Sequence, residues 1–577
     1  MHKDILNYNE LKKLVKNKIP EDGKKTSICI MGNHSIQFYT NFLTAYLKIN
    51  DFNPDILEAN YDQIDVTILD SSSKLYSKSY DIVIIFESSL KLRDNFYELK
   101  DNSERNLFCA DKVTNIKNRI HSLRENGQTS KILYFSYELM DDHIYGNFFS
   151  KINHSFYYQL LQLNSELLKL AQTESNFFVI DINKYLLQSL DYRDMSIYIN
   201  ADVHYNLPTL SNLAKQTASF ISALYGNFKK CLILDLDNTL WGGIIGDDGM
   251  DRIQIGSLGI GKAFTNLQKW AKELKNRGII LAVCSKNNEE IAKEPFEKHP
   301  EMVLSLNDIS IFVANWENKA DNIRYIQNVL DIGFDSMVFL DDNPAEREII
   351  RQNLPEVTVP ELPSDPANYL PYLYNLNLFD TASFSENDKD RTKQYQQEAK
   401  RKKLSFKISN MEDYLSSLEM KGSCTSFDVK DISRIAQLTQ RSNQFNLRTK
   451  RYTEDDIRNF INSNQHLTYA IKLKDKFGDY GLISLVILEK KKDKSYFIDT
   501  WIMSCRVLKR GVEAFVINKI IDDLAKEKTT LLTGEYIPSK KNSLVANLLE
   551  ELGLEEQSTN MFSGKINTLK TLKHYIK

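Results

Sequence analysis

The chain has 577 residues, which is enough for three or four domains at roughly 100 to 200 residues each. Its formal net charge of −3, with 26% charged and 42% hydrophobic residues, is typical of a globular protein and gives no general attraction to nucleic acid or to an anionic membrane. The amino terminus lacks an apolar signal core and no apolar run of about 20 residues is present, which favours a cytoplasmic location. The six cysteines show no paired spacing for zinc or disulfides.

Residues 1–226 are predicted to form a separate α/β domain. Apolar segments typical of strands alternate with amphipathic segments typical of helices. The predicted strands lie at 27–31, 82–86, 132–135 and 177–182, and predicted helices lie at 156–170 and 210–224. A flavodoxin-like α/β fold is therefore expected.

Two polar segments of this region resemble SGNH hydrolases, in which a serine follows an early glycine and the acid and histidine come near the end. Here Ser35 lies one place too far from Gly32, and Asp202 and His204 are separated by one residue rather than two. Because a nucleophile must lie within hydrogen-bond distance of its base, these shifts favour a degenerate positioning or interaction domain over an active hydrolase.

Residues 227–370 contain an apolar run, from Cys231, that ends in two carboxylates, Asp235 and Asp237. A strand buried on both faces delivers such acids to the carboxyl edge of a parallel sheet, where open α/β sheets bind ligands. Side chains two residues apart share a face of a strand, so the two charges are best tolerated with a cation or a phosphate between them. Magnesium prefers a few carboxylates together with phosphate oxygens and water.

Three further apolar strands end in polar residues, in the segments 280–287, 311–319 and 337–344. The order is therefore acid pair, hydroxyl, lysine, acid pair. This order and spacing resemble the haloacid dehalogenase (HAD) superfamily of phosphotransferases, and the segments 235–249, 315–319 and 340–347 are similar to its FkbH-like family, subclass IIIC. Taken singly, Ser285 is compatible with a helix N-cap and Lys319 with a solvated helix start.

The resemblance implies a role for each of these residues. Asp235 is expected to be the nucleophile that forms a phospho-aspartate, and Asp237 the acid that later acts as a base. Asp235, the backbone carbonyl of Asp237, and the pair Asp341 and Asp342 are expected to hold Mg²⁺, and which member of that pair ligates directly stays open. Lys319 is expected to offset charge on the phosphoryl oxygens. The other expected phosphate-binding residues are Thr239, Ser285, Lys286 and Asn287.

Between Thr239 and Ser285 there is room only for a glycine-bearing flap at 242–261 and one amphipathic helix at 264–274. A capless, Rossmann-like HAD core is therefore expected. An uncovered site suits a bulky or carrier-tethered substrate, whereas enclosed sites suit small free metabolites. Cover supplied by a neighbouring domain stays open.

Residues 371–425 are predicted to be a connector, because the run at 383–403 is highly charged and typical of a solvated helix. An acidic partner for the basic end of this run is the alternative.

Residues 426–577 contain predicted strands at 469–473, 482–489 and 495–502, followed by a helix at about 511–528. This order resembles the α+β fold of N-acetyltransferases (GNAT), in which backbone amides before that helix hold a cofactor pyrophosphate. Arg506 and Gly511 match the acetyltransferase pattern. Lys509 occupies the place of a glycine that permits close backbone approach, which puts plain acetyl-CoA binding in doubt. Arg506, Arg510 and Gly511 are the expected acyl-binding or cofactor-binding residues.

FkbH-like proteins are associated with making glyceryl-carrier protein: they take 1,3-bisphosphoglycerate, transfer its acyl group to a thiol and remove the phosphate. The segments 438–446 and 477–481 also look like this family. The resemblance implies a phosphorylated three-carbon metabolite and an acyl carrier protein as partners, and Mg²⁺ with either the phosphopantetheine of a carrier or CoA as cofactors. A homo-oligomer stays open.

Cys505 is a candidate acyl acceptor and catalytic residue. It adjoins Arg506, Lys509 and Arg510 and a predicted helix N-terminus, all of which favour the thiolate. Two alternatives stay open: Cys505 is a small buried residue at a strand end, or the pantetheine thiol attacks directly. For the whole chain the alternatives are a stand-alone phosphatase joined to an acyl-CoA N-acyltransferase, and a non-catalytic scaffold, which the intact acid pairs disfavour.

Overall fold

The structure is a computed structural model that describes residues 9–11, 13, 23–187, 191–382, 392, 394–397, 401, 404, 408, 410–491, 493–539 and 541–577, without the side chains of Arg441 and Cys505. The chain divides into two compact units, Met1–Ser222 and Ala223–Lys577. Most of the charged helix predicted at 383–403 lies outside the described residues. Among the described residues, every helix is too short or too polar to cross a membrane.

The first unit is built on a five-stranded parallel sheet in the order β2-β1-β3-β4-β5. Its strands are β1 (Lys24–Gly32), β2 (Phe52–Glu58), β3 (Ile82–Phe86), β4 (Lys131–Phe135) and β5 (Phe177–Ile180). The central strand β3 is buried along its whole length, as its apolar sequence predicts. The edge strand β2 was not predicted, because it contains Pro54 and only its first residue, Phe52, is buried. Proline is tolerated there because an edge strand has one unpaired side.

Helices cover both faces of this sheet and connect its strands. They are α1 (Gln37–Ile49), α2 (Ile64–Leu69), α3 (Ser89–Glu98), α4 (Asn102–Glu125), α5 (Phe156–Thr173), α6 (Asn183–Leu186), α7 (Met195–Ala201) and α8 (Leu207–Leu224). Because successive parallel strands need crossover connections, the unit has the alternating strand and helix order that was predicted for it.

The second unit begins with a four-stranded parallel sheet in the order β8-β7-β6-β9. Its strands are β6 (Cys231–Leu234), β7 (Ile280–Ser285), β8 (Ile311–Ala314) and β9 (Met337–Leu340). Successive residues of β6 pack alternately into two hydrophobic clusters, Leu232 and Leu234 into one and Cys231 and Ile233 into the other. Both faces of this sheet are therefore buried, which is why the sequences of its strands are continuous apolar runs.

The helices around this sheet are α9 (Ile245–Asp248), α10 (Gly261–Asn276), α11 (Glu289–Lys298), α12 (Lys319–Leu330), α13 (Pro344–Asn353) and α14 (Tyr369–Leu376). Asparagine N-caps precede three of them: Asn288, Asn318 and Asn343 each accept a backbone N–H from the first turn. These caps fix the points at which the chain turns from a strand end into a helix.

The remainder of this unit is a mixed sheet in the order β10-β12-β13-β14-β15-β17-β16, with β11 paired to β14. Its strands are β10 (Lys421–Thr425), β11 (Phe445–Asn446), β12 (His466–Asp475), β13 (Gly478–Lys490), β14 (Ser495–Met503), β15 (Leu531–Glu535), β16 (Glu555–Ser558) and β17 (Met561–Lys565). Its helices are α15 (Met411–Ser417), α16 (Ile432–Arg441), α17 (Glu454–Asn462), α18 (Val512–Lys526) and α19 (Leu548–Glu551). The predicted order of three strands and a helix is present as β12, β13, β14 and α18.

Short 3₁₀ helices occupy several connections in both units. They lie at Lys74–Ser77, Gly146–Lys151, Leu306–Asp308, Phe334–Ser336, Pro366–Asn368, Val429–Asp431, Cys505–Val507 and Ser543–Val545. The chain is a multidomain α/β protein, and the predicted fold class is confirmed at that level.

Candidate active site

A group of acidic residues lies at the carboxyl edge of the four-stranded sheet. The parallel register pairs Leu234 with Leu340, so the residues that follow them, Asp235 and Asp341, leave adjacent strands side by side. The backbone N–H of Asp235 donates to the carbonyl of Leu340 at 3.0 Å and holds the two strand ends together. Carboxylate oxygens of Asp235, Asp341 and Asp342 all lie within 4.8 Å of one another. The fold therefore concentrates negative charge in one place.

Lys319 lies inside this acidic group. Its ammonium is 3.0 Å from Oδ1 of Asp235 and 2.5 Å from Oδ2 of Asp341, and its side chain is only 3% exposed. Lys319 is the first residue of α12, so the turn after β8 delivers it to the same edge as the acids. Although burial disfavours the charged amine, Asp235 and Asp341 raise the pKa of Lys319 above its ordinary value.

Burial opposes the charge on each of the three acids. It raises the pKa of Asp235 even though Lys319 favours the carboxylate. Burial also raises the pKa of Asp341 and of Asp342, and in each case a neighbouring carboxylate adds to the effect. One ammonium against three carboxylates leaves the group electrostatically incomplete, which is what a cation site requires.

Asp237 faces a different set of partners. Its Oδ1 accepts the indole N–H of Trp241 at 2.9 Å and the backbone N–H of Ile245 at 3.0 Å. Its Oδ2 accepts the side-chain amide of Asn287 at 3.0 Å. Burial raises the pKa of Asp237 while these donors favour its carboxylate. The carboxyl group is therefore oriented by hydrogen bonds on both oxygens.

The predicted phosphate-binding residues do not all meet at one point. Thr239 bonds with Asp342, donating to its Oδ1 at 3.4 Å and accepting its backbone N–H at 3.2 Å. Ser285 is buried at the end of β7 and its hydroxyl bonds with Asp235. Asn287 contacts Asp237, as described above. Lys286 instead pairs with Glu346 of α13 at 2.6 Å.

Arg347 lies in the segment 340–347, but no role was predicted for it. Its guanidinium donates to the backbone carbonyls of Asp341, at 2.9 Å, and Asp342, at 2.7 Å, and its side chain is 3% exposed. These bonds hold the loop that carries both acids. Trp241 was likewise missed as a partner of Asp237. The signal for both residues was their presence next to the acid pairs, but the direction of each side chain is not visible in sequence.

A flap follows the first acid pair. Gly242 and Gln254 form a two-way backbone bridge, with N–H to carbonyl distances of 3.0 and 2.8 Å. A Cβ atom on Gly242 would lie 2.9 Å from both Gln254 and Phe264, so the flap packs tightly against α10. Between β6 and β7, where every residue is described, the chain forms only this flap, α9 and α10.

The predicted residues of the C-terminal sheet are placed as follows. Gly511 precedes α18 with a φ of 74°, and Lys509 also has a positive φ of 60°. Arg510 is 4% exposed and contacts Tyr480 and Asp475, while Nε of Arg506 donates to Ser504 at 3.2 Å. Both guanidinium groups therefore contact side chains of this same unit. The side chain of Cys505 lies outside the described part of the structure.

Comparisons with known proteins agree with this picture. The FkbH N-terminal domain family model matches residues 27–222. A solved structure of the N-terminal part of the protein BF1531 from Bacteroides fragilis, containing a phosphatase domain complexed with Mg, is similar to this chain at 46% identity and a TM-score of 0.63. That similarity covers 66% of this chain and 100% of the Bacteroides chain.

Weaker similarities involve acetyltransferases. The ribosomal-protein-S18-alanine N-acetyltransferase of Escherichia coli is 15% identical, covering 25% of this chain and 94% of its own, with a TM-score of 0.21. The Vibrio cholerae spermidine N-acetyltransferase in complex with CoA and spermine is 16% identical, covering 26% and 96%, also with a TM-score of 0.21. Scores this low do not bear on function. No curated protein sequence matches the chain. On the match to the N-terminal domain model and the 46% identity across the whole Bacteroides fragilis structure, this chain belongs to the FkbH family.

Proposed function

We propose that the second unit is a magnesium-dependent phosphatase of the HAD type, coupled to acyl transfer. The observation that carries the proposal is the cluster of Asp235, Asp341 and Asp342, whose oxygens lie within 4.8 Å of one another around a single lysine. The Bacteroides fragilis relative contains a phosphatase domain complexed with Mg, which supports the same assignment here.

The residues present fit a magnesium ion. Asp235, Asp341 and Asp342 supply only oxygen donors, which Mg²⁺ prefers, and the backbone carbonyl of Asp237 is the expected further ligand. When bound, the ion would neutralise negative charge on the phosphoryl group. Arg347 and Thr239 would hold the ligand loop, because they bond with the backbone and side chain of the second acid pair.

The first chemical step belongs to Asp235 and Asp237. A carboxylate oxygen of Asp235 attacks phosphorus, a phospho-aspartate forms, and the bond from phosphorus to the substrate oxygen breaks. Asp237 gives its proton to the leaving oxygen. The raised pKa of buried Asp237 suits that role, since a carboxyl must hold its proton near neutral pH in order to donate it.

The second step returns the enzyme to its starting state. Asp237, now a carboxylate, takes a proton from water, and that water attacks the phosphorus of the phospho-aspartate. Phosphate leaves and the carboxylate of Asp235 is restored. Lys319 contacts both Asp235 and Asp341, so we infer that it orients the nucleophile and offsets charge that develops on the phosphoryl oxygens.

The finer proposal concerns the substrate. We infer that the chain forms glyceryl-S-carrier protein from 1,3-bisphosphoglycerate. The acyl phosphate of that molecule is already activated toward a thiolate, whereas its 3-phosphate is an inert monoester that needs a metal and a nucleophilic aspartate. The short flap between β6 and β7 supports a substrate tethered to a carrier, because it leaves room at the site. Cys505 and the carrier's pantetheine thiol remain the two candidate acyl acceptors.

One experiment tests both levels of the proposal. The full chain is incubated with 1,3-bisphosphoglycerate, a phosphopantetheine-bearing carrier protein and Mg²⁺, and released phosphate and the intact mass of both proteins are measured. The native chain is expected to add a glyceryl group to the carrier. Asp235→Asn should slow removal of the 3-phosphate by roughly 1,000-fold or more, so that a phosphoglyceryl group accumulates.

Asp321→Asn is the matched control, since Asp321 is an exposed acid of α12 whose carboxylate pairs with Arg324, away from the acid cluster. It should behave as the native chain. A glyceryl mass formed by Asp235→Asn at the native rate would show that the 3-phosphate is lost without Asp235, and would remove Asp235 from the mechanism. If the 3-phosphate is removed but no acyl group appears on the carrier or on Cys505, the phosphatase proposal stands and the acyl-transfer proposal is refuted.

A further inference from the structure

The N-terminal unit holds a hydroxyl, an imidazole and a carboxylate in one hydrogen-bonded chain that the phosphatase does not use. Ser88 Oγ bonds with Nδ1 of His204, and Nε2 of His204 lies 2.8 Å from Oδ1 of Asp202. Ser88 comes two residues after the central strand β3, whereas the other two residues follow α7. Only the fold brings them together, at the carboxyl edge of the parallel sheet.

The hydrogen bonds define the protonation state of this chain. A carboxylate can only accept, so Nε2 of His204 carries the ring proton and donates it to Asp202. Nδ1 is then left to accept the hydroxyl proton of Ser88. Burial lowers the pKa of His204 although Asp202 opposes that effect, so the ring is a neutral base. A serine, its base and an acid that orients the base are the parts of a nucleophilic site.

Asp202 is held firmly in its place. Its backbone is left-handed, with a φ of 52°, and its carbonyl accepts the backbone N–H of Ser35 at 3.1 Å. Oδ2 accepts the hydroxyl of Tyr61 at 2.6 Å and lies 3.7 Å from the ammonium of Lys91. Ser35, the serine considered from the sequence, thus contacts this site through its backbone, while Ser88 supplies the hydroxyl to His204.

A second observation points to a ligand. His34 is 1% exposed, and its ring lies 4.7 Å from the ring of His204. Both ring nitrogens of His34 lack a hydrogen-bond partner in the described structure. Leaving buried polar atoms unpaired is costly, so such atoms in a native protein call for a partner. A neutral imidazole offers one N–H donor, which matches the carbonyl oxygen of an acyl group.

We propose that Ser88, His204 and Asp202 form an acyl-transfer site for a carboxylic ester or thioester, with His34 donating a hydrogen bond to the acyl oxygen. Oγ of Ser88 bonds to the acyl carbon while its proton passes to Nδ1 of His204. The bond from the acyl carbon to the leaving oxygen or sulfur breaks, and the leaving group takes that proton. Water, deprotonated by His204, then attacks the acyl-serine, releasing the carboxylic acid and restoring the hydroxyl of Ser88.

Ser88 also caps a helix, and the two roles are compatible. Its Oγ accepts the backbone N–H groups of Leu90, at 3.1 Å, and Lys91, at 3.4 Å, at the start of α3. Capping uses the oxygen lone pairs, whereas the bond to His204 uses the hydroxyl proton. The same two donors would stabilise negative charge that develops on Oγ as its proton leaves.

A side chain of α7 packs against this site. Ser88 and His204 are each 1% exposed, and the ring of Tyr198 in α7 meets the ring of His204 edge-on at 4.8 Å. This seven-residue helix has no buried residue, and Ile199 on it is 74% exposed. Displacing α7 therefore sacrifices little packing, and it removes the ring of Tyr198 from the imidazole of His204.

The test is labelling of the full chain with a fluorophosphonate probe, which forms a covalent bond with activated serines, followed by peptide mass spectrometry. We expect the label on Ser88 of the native chain. Ser88→Ala should remove it, and His204→Gln, which leaves the helix cap in place, should slow labelling by roughly 100-fold. Ser89→Ala is the matched control, because Ser89 is the buried neighbour whose Oγ has no hydrogen-bond partner in the described structure.

If the variants fold poorly, labelling of the native chain alone tests the proposal. Absence of label on the native chain, or label on a residue other than Ser88, would overturn the proposal. Label that persists in His204→Gln at the native rate would remove the histidine as the base. Hydrogen exchange of β3 peptides on the same samples reports whether the first unit of each variant is folded, because Ser88 and His204 lie in that unit and the acid cluster of the phosphatase lies in the other.

Discussion

Asp237 is the side chain whose environment says most about the proposed chemistry. The amide of Asn287 that contacts it is itself fixed, because its Oδ1 accepts the backbone N–H of Asn288 at 2.9 Å. Nδ2 therefore has to face Asp237. We infer that Asn287 positions the proposed acid, whereas the neighbouring Lys286 is held at Glu346 by an ion pair.

This difference between adjacent residues predicts different kinetics. Asn287→Ala should lower kcat about 10-fold with little change in KM, because it frees one oxygen of the acid without touching bound phosphate. Lys286→Ala should leave both constants within about twofold, since a partly exposed ion pair contributes little. Steady-state phosphate release in the presence of Mg²⁺ gives kcat and KM for both variants. A large rise in KM for either variant would show instead that the side chain binds the phosphoryl group, as the sequence indicated.

The flap is the element that connects the acid to the rest of the fold. Trp241 and Ile245, which both donate to Asp237, lie on either side of Gly242, and Gly242 is bridged to Gln254. The position of the acid therefore depends on how closely the flap packs against Phe264 of α10. Close approach at Gly242 is what the absence of a side chain permits.

Two glycines of the flap provide a matched test of this dependence. Gly242→Ala should lower kcat about 10-fold and the free energy of unfolding by about 1–3 kcal/mol, because its Cβ would meet Gln254 and Phe264 at 2.9 Å. Gly246→Ala should do neither, since a Cβ there has nothing within 4 Å. Phosphate release and urea unfolding check both variants. Equal effects of the two substitutions would contradict a role for flap packing.

Across the whole molecule, the two units bury charged side chains with different partners. In the first unit Glu87 accepts from Arg119 at 3.0 Å and from Tyr137 at 2.7 Å, and it also contacts Tyr134. Although burial disfavours the carboxylate, Arg119 and Tyr134 lower the pKa of Glu87 from 4.5 to about 2. A carboxyl whose pKa is lower in the folded state stabilises that state above its unfolded pKa and loses the contribution as the pH falls.

The acid stability of the first unit should follow from Glu87. Glu87→Gln, which mimics the protonated acid, should lower the free energy of unfolding by about 3 kcal/mol at pH 7 and by only about 1 kcal/mol at pH 3. All four tryptophans lie in the second unit, so tryptophan fluorescence would not follow unfolding of the first unit. Urea-dependent hydrogen exchange of peptides from β3 is therefore the suitable measurement. Exposed Glu98→Gln is the control and should change neither value. If Glu87→Gln lowered the free energy of unfolding equally at pH 7 and at pH 3, the lowered pKa of Glu87 would be contradicted.

The second unit contains both the phosphatase core and the C-terminal sheet. Lys541 pairs with Asp335 of the core at 2.5 Å, and the amide of Asn443 donates to the carbonyl of Gly226 at 3.0 Å. A Cβ on Gly226 would lie 2.2 Å from the carbonyl oxygen of Gln440, so the two parts approach closely there. The boundaries expected at residues 226, 370 and 425 remain predictions.

Much of the core was visible in the sequence for a simple physical reason. Strands buried on both faces are continuous apolar runs, and the residues that follow parallel strands must emerge at one edge of the sheet. The positions of Asp235, Lys319 and Asp341 at that edge follow from these two facts. The strands β2, β10, β11, β15, β16 and β17 were missed because they are short, largely exposed or alternate in burial, so their sequences resemble loops and surface helices.

Apolar periodicity is a local property of the chain, so the sequence was sufficient to predict the buried strands of the phosphatase core and the polar residues at their ends. The partner of each side chain was decided only by the tertiary structure. Lys286 turns to Glu346 while Asn287 turns to Asp237, and His204 meets Ser88 rather than Ser35. Such choices depend on contacts between residues far apart in sequence, where burial, charge and hydrogen bonding are settled together.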